Sequence, residues 1–374
     1  MRRRRLGLLA ILTTLVLVAA ACSPGTSADT TVAPTTTVVQ GTTTSAPDAT
    51  TTTEGEVDWG PDVELTLGHG FGAPHPINVG VLERWKAAVE DATEGTVTIT
   101  IIPGGALGPA PGTYENTVAG GQDLGWALQG YTPGRFPLTQ VVEAPFVFES
   151  AVQGTHVLWD LYEEFDEFQA EYSDVKVLGL WVHDIGDLWT KEGPIDSMED
   201  IAGLSLRSPG PMSGELIREL GGTPVGMPAP EIYDSLDTNR IQGLMIAISA
   251  LTSFDLYPQL NYGITCNCYV AAQYFVMNLD SWDKLSPAQQ AAIDSITPRE
   301  VSGWGAEVYD AEYVAADIRV TEEGIERFVL SSDPAEEARW FEAGDRVVAD
   351  WIGAAAAGEP RQAMWDRLQE LLAH

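Results

Sequence analysis

From Val63 onward, strand-like runs of the chain alternate with segments of helical periodicity. VELTLGHG alternates polar and apolar residues as a half-buried strand does, and the next segment places Leu82, Trp85 and Val89 at helical spacing. The strand-like run TVTITII follows, and similar pairs recur further along the chain. Strands that alternate with helices predict an α/β fold with parallel or mixed sheets and helices on both faces. The roughly 310 residues in this pattern are enough for two domains.

The N-terminal residues do not share this pattern. Arg2–Arg5 form a basic segment, and Leu6–Ala21 is an apolar run, short for a membrane span, that ends in small residues. These features predict a signal peptide over residues 1–21. Cys22 follows three alanines, which resembles the lipobox of bacterial lipoproteins and implies that Cys22 becomes the lipidated first residue. Simple secretion with cleavage nearby is the alternative.

Residues 22–58 are rich in Thr, Ser, Pro, Ala and Gly, and no aromatic residue occurs before Trp59. A segment of this composition buries too little apolar surface to offset the entropy of ordering its backbone. We therefore expect a flexible tether between the lipidated Cys22 and the folded part of the chain.

The chain carries 54 acidic residues against 20 Lys and Arg, a net charge of −34. Removal of residues 1–21 takes away four arginines and no acidic residue, so the net charge of the mature protein becomes −38. Nucleic acids and other anionic polymers bind to a basic face, so this balance excludes them as partners. A small anion is not excluded, because one or two local cations decide its binding.

Arg207 stands between the apolar run GLSL and a Ser-Pro-Gly turn. Ligands of α/β proteins bind beyond strand ends, and a guanidinium group matches a carboxylate with paired hydrogen bonds. Pro209 and Gly210 end the strand, so the arginine side chain can point into a cleft. The alternative is that Arg207 pairs with Asp184 or Asp187 and only stabilises its domain.

Five stretches of the chain carry a resemblance to a known family: IIPGGALG, GYTPGRFPLTQVVEAPFVF, LWTKEGPIDSMEDIAGLSLRSPG, LGGTPVGMPAPEIYDSL and YFVMNLDSWDKLSPAQQAAID. In this order they resemble the extracytoplasmic solute-binding proteins of tripartite ATP-independent periplasmic (TRAP) transporters, the dicarboxylate-binding-protein family. The resemblance runs from about Val63 to the helical C-terminus. In that family the arginine of the strand before the turn binds the carboxylate of the ligand, and this implies the same role for Arg207.

The resemblance implies a two-domain fold of the type II periplasmic-binding-protein kind, with mixed sheets, a strand within CNCYVAAQYFVMN that crosses between domains, and a helical C-terminus. Domain I comprises residues 59–184 with part of about 273–312, and domain II comprises residues 185–272 with part of about 313–374. The implied function is delivery of a small organic acid to TRAP permease subunits, without catalysis, cofactor or metal. We expect a monomer that is lipid-anchored at the outer face of the cell membrane. The alternatives are the receptor of an ATP-driven importer and an extracellular sensor or adhesion lipoprotein.

Two positions depart from the family pattern. Many members carry a second arginine near the place where this chain has Asp187, with Trp189 close by, and a polar pair near the place where it has Met245. The charge of Asp187 would repel a second carboxylate of a ligand. We therefore predict a monocarboxylate with a hydrophobic body. Alternatively, Asp187 accepts a hydrogen bond from a ligand hydroxyl or amine.

Further candidates for the ligand site are aromatic residues near predicted strand ends, and for each of them ordinary core packing is the alternative. Arg135 is a second candidate cation, with a structural role in its turn as the alternative. The aromatic candidates are Phe71, His69, Trp126, Tyr131 and Trp181.

The sequence lacks the motifs of several enzyme classes. It contains no G-x-S-x-G, no phosphate-binding loop with its Lys-Ser/Thr pair and no H-E-x-x-H. His69 and His75 are too isolated to be assigned as metal ligands. Glu163 and Glu164 lie on a helix predicted to face solvent, which does not support a glycosidase pair.

Cys266 and Cys268 are the only cysteines besides Cys22. On an extended strand this spacing points both side chains to one face, which favours neither a zinc site nor easy disulfide closure. We expect two small buried apolar side chains, with a strained disulfide as the alternative.

Overall fold

Two β-sheets form the frame of the protein in the computed structural model, which describes residues 57–373. The predicted signal peptide, the lipidation at Cys22 and nearly all of the tether lie outside this range. Within it, the strands are numbered in chain order. They are β1 Val63–His69, β2 Val97–Ile102, β3 Leu124–Leu128, β4 Val175–Val182, β5 Gly186–Thr190, β6 Ser205–Ser208, β7 Thr223–Gly226, β8 Gly243–Ala247, β9 Tyr262–Tyr269, β10 Ala272–Asn278 and β11 Glu326–Val329.

Helices cover both sheets and form most of the C-terminal part. Helix α6 begins at Pro211, because proline fits the first helical position, where its missing N–H is not needed, and Gly221 takes a φ of 95° just past the helix end. No helix within residues 57–373 combines the length and apolar character needed to cross a membrane. The helices are α1 Glu83–Ala92, α2 Thr113–Val118, α3 Ala151–Glu164, α4 Asp166–Ala170, α5 Met198–Ile201, α6 Pro211–Glu219, α7 Ile232–Asp237, α8 Ile248–Ser253, α9 Leu279–Asp283, α10 Pro287–Ser295, α11 Pro298–Glu322, α12 Pro334–Gly353 and α13 Arg361–Leu372.

The first sheet has the strand order β2-β1-β3-β10-β4. Strand β1 pairs in parallel with β2 and β3, whereas β10 runs antiparallel to both β3 and β4. Helices α3 and α11 pack against β4, and α1 packs against β2. The alternating apolar residues of β2, Val97 and Ile99, are buried as the strand pattern predicts. This sheet and its helices form the first lobe.

The second sheet has the strand order β11-β9-β5-β8-β6-β7. Strand β6 is parallel to β7 and β8, and β5 is antiparallel to β8 and β9. A separate apolar core forms here, in which Trp189 of β5 and Leu244 of β8 belong to one cluster with Val320 of α11. The mixed sheets and the two-lobe α/β fold agree with the prediction.

The chain crosses between the lobes at residues 183–185, between β4 and β5, and again further along. Strand β9 belongs to the second sheet and β10 to the first, so the predicted crossing occurs between them, at residues 270 and 271. Helix α11 contacts α3 and β4 of the first lobe and also α8 of the second. At the C-terminus, α12 packs on α6 and α13 packs on α3, so the C-terminal helices are shared between the lobes.

The structure corrects the expectation for the two cysteines. Cys266 and Cys268 are joined by a disulfide, and their Cα atoms are 4.9 Å apart. Asn267 between them has a φ of 50°, so the backbone leaves the extended course that the prediction assumed. Residues 265–268 bulge out of the pairing between β9 and β5, and this bulge contains the disulfide.

Candidate functional site

A cavity lies between the two sheets, at the strand end where the sequence places Arg207. With its mouth, the cavity has an empty volume of about 400 Å³. Its walls come from both lobes and from helix α11, so a ligand inside would contact both lobes at once. The walls include Phe71, Tyr131 and Gln273 from the first lobe, Arg207 and Tyr269 from the second, and Tyr309 from α11.

Arg207 is buried in this wall, with 2% of its surface exposed. Its Nε donates to the carbonyl of Met227 at 3.1 Å, and its Nη1 donates to the carbonyl of Met245 at 3.0 Å. The ion pairs within residues 57–373 include none with Arg207. A guanidinium group has five N–H donors, and a buried charge is costly unless it is paired. The remaining donors therefore favour an anion in the cavity.

The two acidic residues that could have paired with this arginine have other partners. Asp184 accepts hydrogen bonds from the backbone nitrogen of Ser249 at 2.9 Å and from its hydroxyl at 2.5 Å, and burial raises the pKa of Asp184 to about 7. Asp187 Oδ1 accepts from the backbone nitrogens of Cys266 at 2.9 Å and Asn267 at 3.1 Å, and burial raises the pKa of Asp187 to about 6. Neither carboxyl group forms an ion pair with the cavity arginine.

Aromatic side chains form much of the remaining wall. The Phe71 ring centre lies 6.5 Å from that of Tyr131 and 6.3 Å from that of Phe254. The hydroxyl of Tyr131 accepts a hydrogen bond from the backbone nitrogen of Ala229 at 3.0 Å. Burial raises the pKa of Tyr131, and the nearby charge of Arg207 opposes that rise. The phenol is therefore neutral, and its proton is available to a ligand.

Two histidines line the cavity in the neutral form. Burial lowers the pKa of His75 to about 3, and its Nδ1 accepts from the backbone nitrogen of Ile77 at 3.3 Å, so its proton is on Nε2. Burial also lowers the pKa of His183 to about 4; its Nε2 accepts from Ala271 N at 3.1 Å, and its Nδ1 donates to Asp184 O at 2.5 Å. Among the described residues that line the cavity, Arg207 therefore supplies the positive charge.

Gln273 links the cavity to two tryptophans behind its wall. Its Oε1 accepts hydrogen bonds from Trp126 Nε1 at 2.9 Å and from Trp181 Nε1 at 3.1 Å. Its Nε2 donates to the hydroxyl of Tyr309 at 2.7 Å. The two indoles thus lie outside the cavity lining and contact a residue that belongs to it.

Of the nine residues predicted for the ligand site, Arg207, Tyr131 and Phe71 line the cavity. Direct ligand contact by these three stays a prediction. The other six do not line the cavity, and two of them, Trp126 and Trp181, lie behind Gln273.

The remaining four are engaged elsewhere. His69, the last residue of β1, pairs through Nε2 with the Oδ1 of Asn78 at 2.9 Å. Trp189 is fully buried in the core of the second lobe, and Met245 is fully buried in the larger apolar cluster that extends into the first lobe. Asp187 binds the backbone of the disulfide bulge, as described above.

The second candidate cation, Arg135, is also outside the cavity lining. Its Nη2 lies 2.7 Å from Asp174 Oδ1 and 3.2 Å from the hydroxyl of Tyr114. These contacts agree with the alternative interpretation, that Arg135 stabilises its own turn. No group of three or more His, Cys, Asp or Glu side chains within residues 57–373 is arranged to hold a metal ion.

Several cavity residues were not singled out from the sequence. Gln273 is a polar residue inside the apolar run VAAQYFVM, which is a signal that could have identified it. Tyr269 follows the disulfide bulge directly, and the bulge itself was not predicted. Tyr309 and His183 stand in segments whose patterns do not distinguish a cavity residue from a core residue.

These features define a class of protein: a two-lobed binding protein in which an arginine and aromatic side chains face a cavity between the lobes. Residues 67–353 match the family described as bacterial extracellular solute-binding protein, family 7. The match covers well over half of the chain, and the chain belongs to this family. The resemblance seen in the sequence is thereby confirmed.

Solved structures with this fold agree with the assignment. A TRAP solute-binding protein from a marine metagenome, specific for aromatic acid ligands and crystallised with 3-hydroxybenzoate, is 25% identical with a TM-score of 0.79, covering 84% of this chain and 99% of that one. A TRAP solute-binding protein from Bordetella bronchiseptica with bound (R)- and (S)-mandelate is 26% identical with a TM-score of 0.78, covering 83% and 99%. The 2,3-diketo-L-gulonate-binding periplasmic protein YiaO of Escherichia coli is 23% identical over 215 residues, which are 57% of this chain and 65% of that relative.

Proposed function

We propose that this protein is the extracytoplasmic receptor of a TRAP transporter and that its cargo is a small monocarboxylate with an aromatic or other hydrophobic body. Lobe closure around the acid produces the form that the membrane permease recognises, and an ion gradient then drives transport. The two solved relatives at 25% and 26% identity, bound to 3-hydroxybenzoate and mandelate, support an aromatic acid as the cargo.

One observation carries the proposal. Arg207 is buried at a cavity between the lobes, is not ion-paired within residues 57–373, and still has donors to offer. The aromatic side chains beside it suit an apolar body, whereas the histidines that line the cavity are neutral. One charge clamp in apolar surroundings favours a ligand with one carboxylate.

The test is calorimetric titration of the protein with benzoate, 3-hydroxybenzoate, mandelate and succinate. We expect at least one aromatic acid to bind more tightly than succinate. Substitution Arg207→Lys should weaken that binding about 30-fold or more, because a desolvated bidentate pair contributes about 2–5 kcal/mol. Tight succinate binding by the wild type would contradict the proposed ligand class.

A control separates a binding role of Arg207 from a structural one. Arg240 lies on the surface of the second lobe, with 56% of its side chain exposed, and Arg240→Lys should leave affinity unchanged. The unfolding temperature of ligand-free Arg207→Lys should stay close to that of the wild type. If Arg207→Lys unfolds the protein and spares affinity, Arg207 is structural and the proposed site is wrong.

We further propose that the receptor is a monomer held at the outer face of the cell membrane through lipid on Cys22. The motif VLVAAAC supports this anchor. Cys22→Ala should release the protein from the membrane fraction and leave ligand affinity unchanged, as measured by fractionation and calorimetry. Retention of the processed variant in the membrane would contradict the proposal.

A further inference from the structure

The amide of Gln273 has only one orientation that satisfies its neighbours. An indole N–H can donate a hydrogen bond but cannot accept one. Trp126 and Trp181 both direct this group at the same atom of Gln273, at 2.9 and 3.1 Å, so that atom must be the carbonyl oxygen Oε1. The NH₂ group therefore points the other way and donates to the hydroxyl of Tyr309, at 2.7 Å.

This orientation fixes what Tyr309 can do. Its oxygen accepts the proton of Gln273, so its own proton must be directed elsewhere. Burial raises the pKa of Tyr309, which keeps the phenol protonated. The hydrogen bonds among residues 57–373 include no acceptor for this proton, and Tyr309 lines the cavity. The tyrosine thus presents a hydrogen-bond donor to the cavity.

We infer that Gln273 and Tyr309 form a second recognition point, where the ligand must offer an oxygen acceptor apart from its carboxylate. This inference rests on the proposed function, because it concerns the same cavity and deepens the ligand class to hydroxy-, alkoxy- or oxo-substituted monocarboxylates. Trp126 and Trp181 act as positioning residues, since they reach the ligand only through Gln273. A ligand without this acceptor leaves a buried donor unsatisfied, which is costly.

Other polar groups of the wall point in the same direction. The Nε2 proton of His75 and the hydroxyl proton of Tyr131 are donors, because the opposite sites of both groups already accept backbone N–H groups. The hydroxyl of Ser249 donates to Asp184 and so offers an acceptor. Donors outnumber acceptors among these groups, which favours a ligand rich in acceptors.

The experiment compares acids that have the same shape but differ in acceptor capacity. The wild type is titrated with the three methoxybenzoates and the three ethylbenzoates, which have a CH₂ group in place of the ether oxygen. A further pair is phenylglyoxylate and 2-phenylacrylate, in which C=O is replaced by C=CH₂. For at least one pair we expect the acceptor acid to bind about five- to tenfold more tightly. In Tyr309→Phe the two acids of that pair should bind with about equal affinity. The affinity for the acid without an acceptor should rise or stay constant.

Tyr274→Phe is the matched control. Tyr274 neighbours Gln273 in β10, its buried hydroxyl has no hydrogen-bond partner among residues 57–373, and it does not line the cavity. Its substitution should leave the preference of the wild type intact. Equal affinities within every pair in the wild type, or a preference that survives Tyr309→Phe, would overturn the inference while carboxylate binding through Arg207 still stands. If none of these acids binds, the proposed function fails and the inference fails with it.

Discussion

The backbone of Gly130 in the first lobe lies directly against the backbone of Gly210 in the second. A Cβ atom on Gly130 would stand 2.8 Å from the carbonyl oxygen of Pro209 and 3.0 Å from the Cα of Gly210. Gly130 precedes Tyr131, and Gly210 follows the strand of Arg207, so this contact joins the segments that hold two cavity residues. The lobes approach closely at this point because neither segment has a side chain there.

Substitution Gly130→Ala should therefore hold the lobes apart. Overpacking at a closed contact costs about 1–3 kcal/mol, so we expect ligand affinity to fall about tenfold, with little change in the unfolding temperature of the ligand-free protein. Gly112→Ala is the control, because a Cβ atom at Gly112 meets nothing within 4 Å. Unchanged affinity in Gly130→Ala would show that closure does not need this contact.

Stability should fall as pH rises from about 4.5 to 8. Burial raises the pKa of Glu143, Glu171 and Asp184 to about 7 each, whereas such groups titrate near 4 in an unfolded chain (about 3.9–4.3). Between these values the folded protein holds protons that the unfolded chain has released. Its free energy of unfolding therefore declines through this range and levels off above pH 7. The decline is shallower below about pH 6.5, because the lowered pKa values of buried His75 and His183 act in the opposite direction there. Unfolding temperatures by circular dichroism test this, and a midpoint higher at pH 8 than at pH 5 would contradict it.

Matched variants identify the groups responsible for this dependence. Glu171→Gln should flatten the decline, because Glu171 then no longer titrates. Glu215 is the control, because its side chain is 54% exposed, and Glu215→Gln should leave the slope unchanged.

Asp187→Asn should stabilise the protein at pH 8. Burial raises the pKa of Asp187 from 3.8 to about 6. At pH 8 its carboxyl group is therefore ionised in the folded protein at a free-energy cost that the unfolded chain does not have. Asn preserves the oxygen that accepts from Cys266 and Asn267, and its NH₂ replaces Oδ2, which has no hydrogen-bond partner in the part of the chain that the structure describes. We expect a gain of about 1–3 kcal/mol at pH 8 that vanishes near pH 4, measured by denaturant unfolding.

The same variant tests the expectation that Asp187 repels a second carboxylate. Because Asp187 does not line the cavity, the affinity ratio of succinate to benzoate should change less than about threefold in Asp187→Asn. A much larger rise in succinate affinity would restore Asp187 as a selectivity residue.

The disulfide should be present in the protein isolated without reductant. Alkylation of the unfolded protein should label neither Cys266 nor Cys268 before reduction and both after it. The loop that the bond closes is very short, so Cys266→Ser with Cys268→Ser should cost only about 1–2 kcal/mol of unfolding free energy. Labelling of both thiols before reduction would refute the pairing.

The sequence predicted those features that depend on local pattern. The α/β class follows from alternating periodicities, and Arg207 was identified because a charged residue before a Pro-Gly turn marks a strand end. Gln273 was missed because its partners Trp126 and Trp181 lie 147 and 92 residues away along the chain. Strand β10 brings them together by running antiparallel between β3 and β4, and no local pattern specifies that insertion.

The failures at the second sheet have a similar origin. Asp187 was placed near the ligand because it falls near the second arginine of many family members, whereas in the structure the bulge at 265–268 turns backbone N–H groups toward its carboxylate. The same bulge brings Cys266 and Cys268 together through the positive φ of Asn267. A single departure from extended geometry thus accounts for both the disulfide and the hydrogen bonds that Asp187 accepts.

Because Arg207 is buried between the lobes, the residence time of the bound acid depends on how fast the lobes open. Arg207 is 2% exposed and the walls of the cavity come from both lobes, so a bound acid would be held by both lobes while Gly130 touches Gly210. Escape is then gated by the rate at which the lobes part, and a tight fit in the cavity prolongs the lifetime of the loaded receptor rather than slowing its capture of acid. A permease that opens the lobes would release the acid far faster than spontaneous dissociation does.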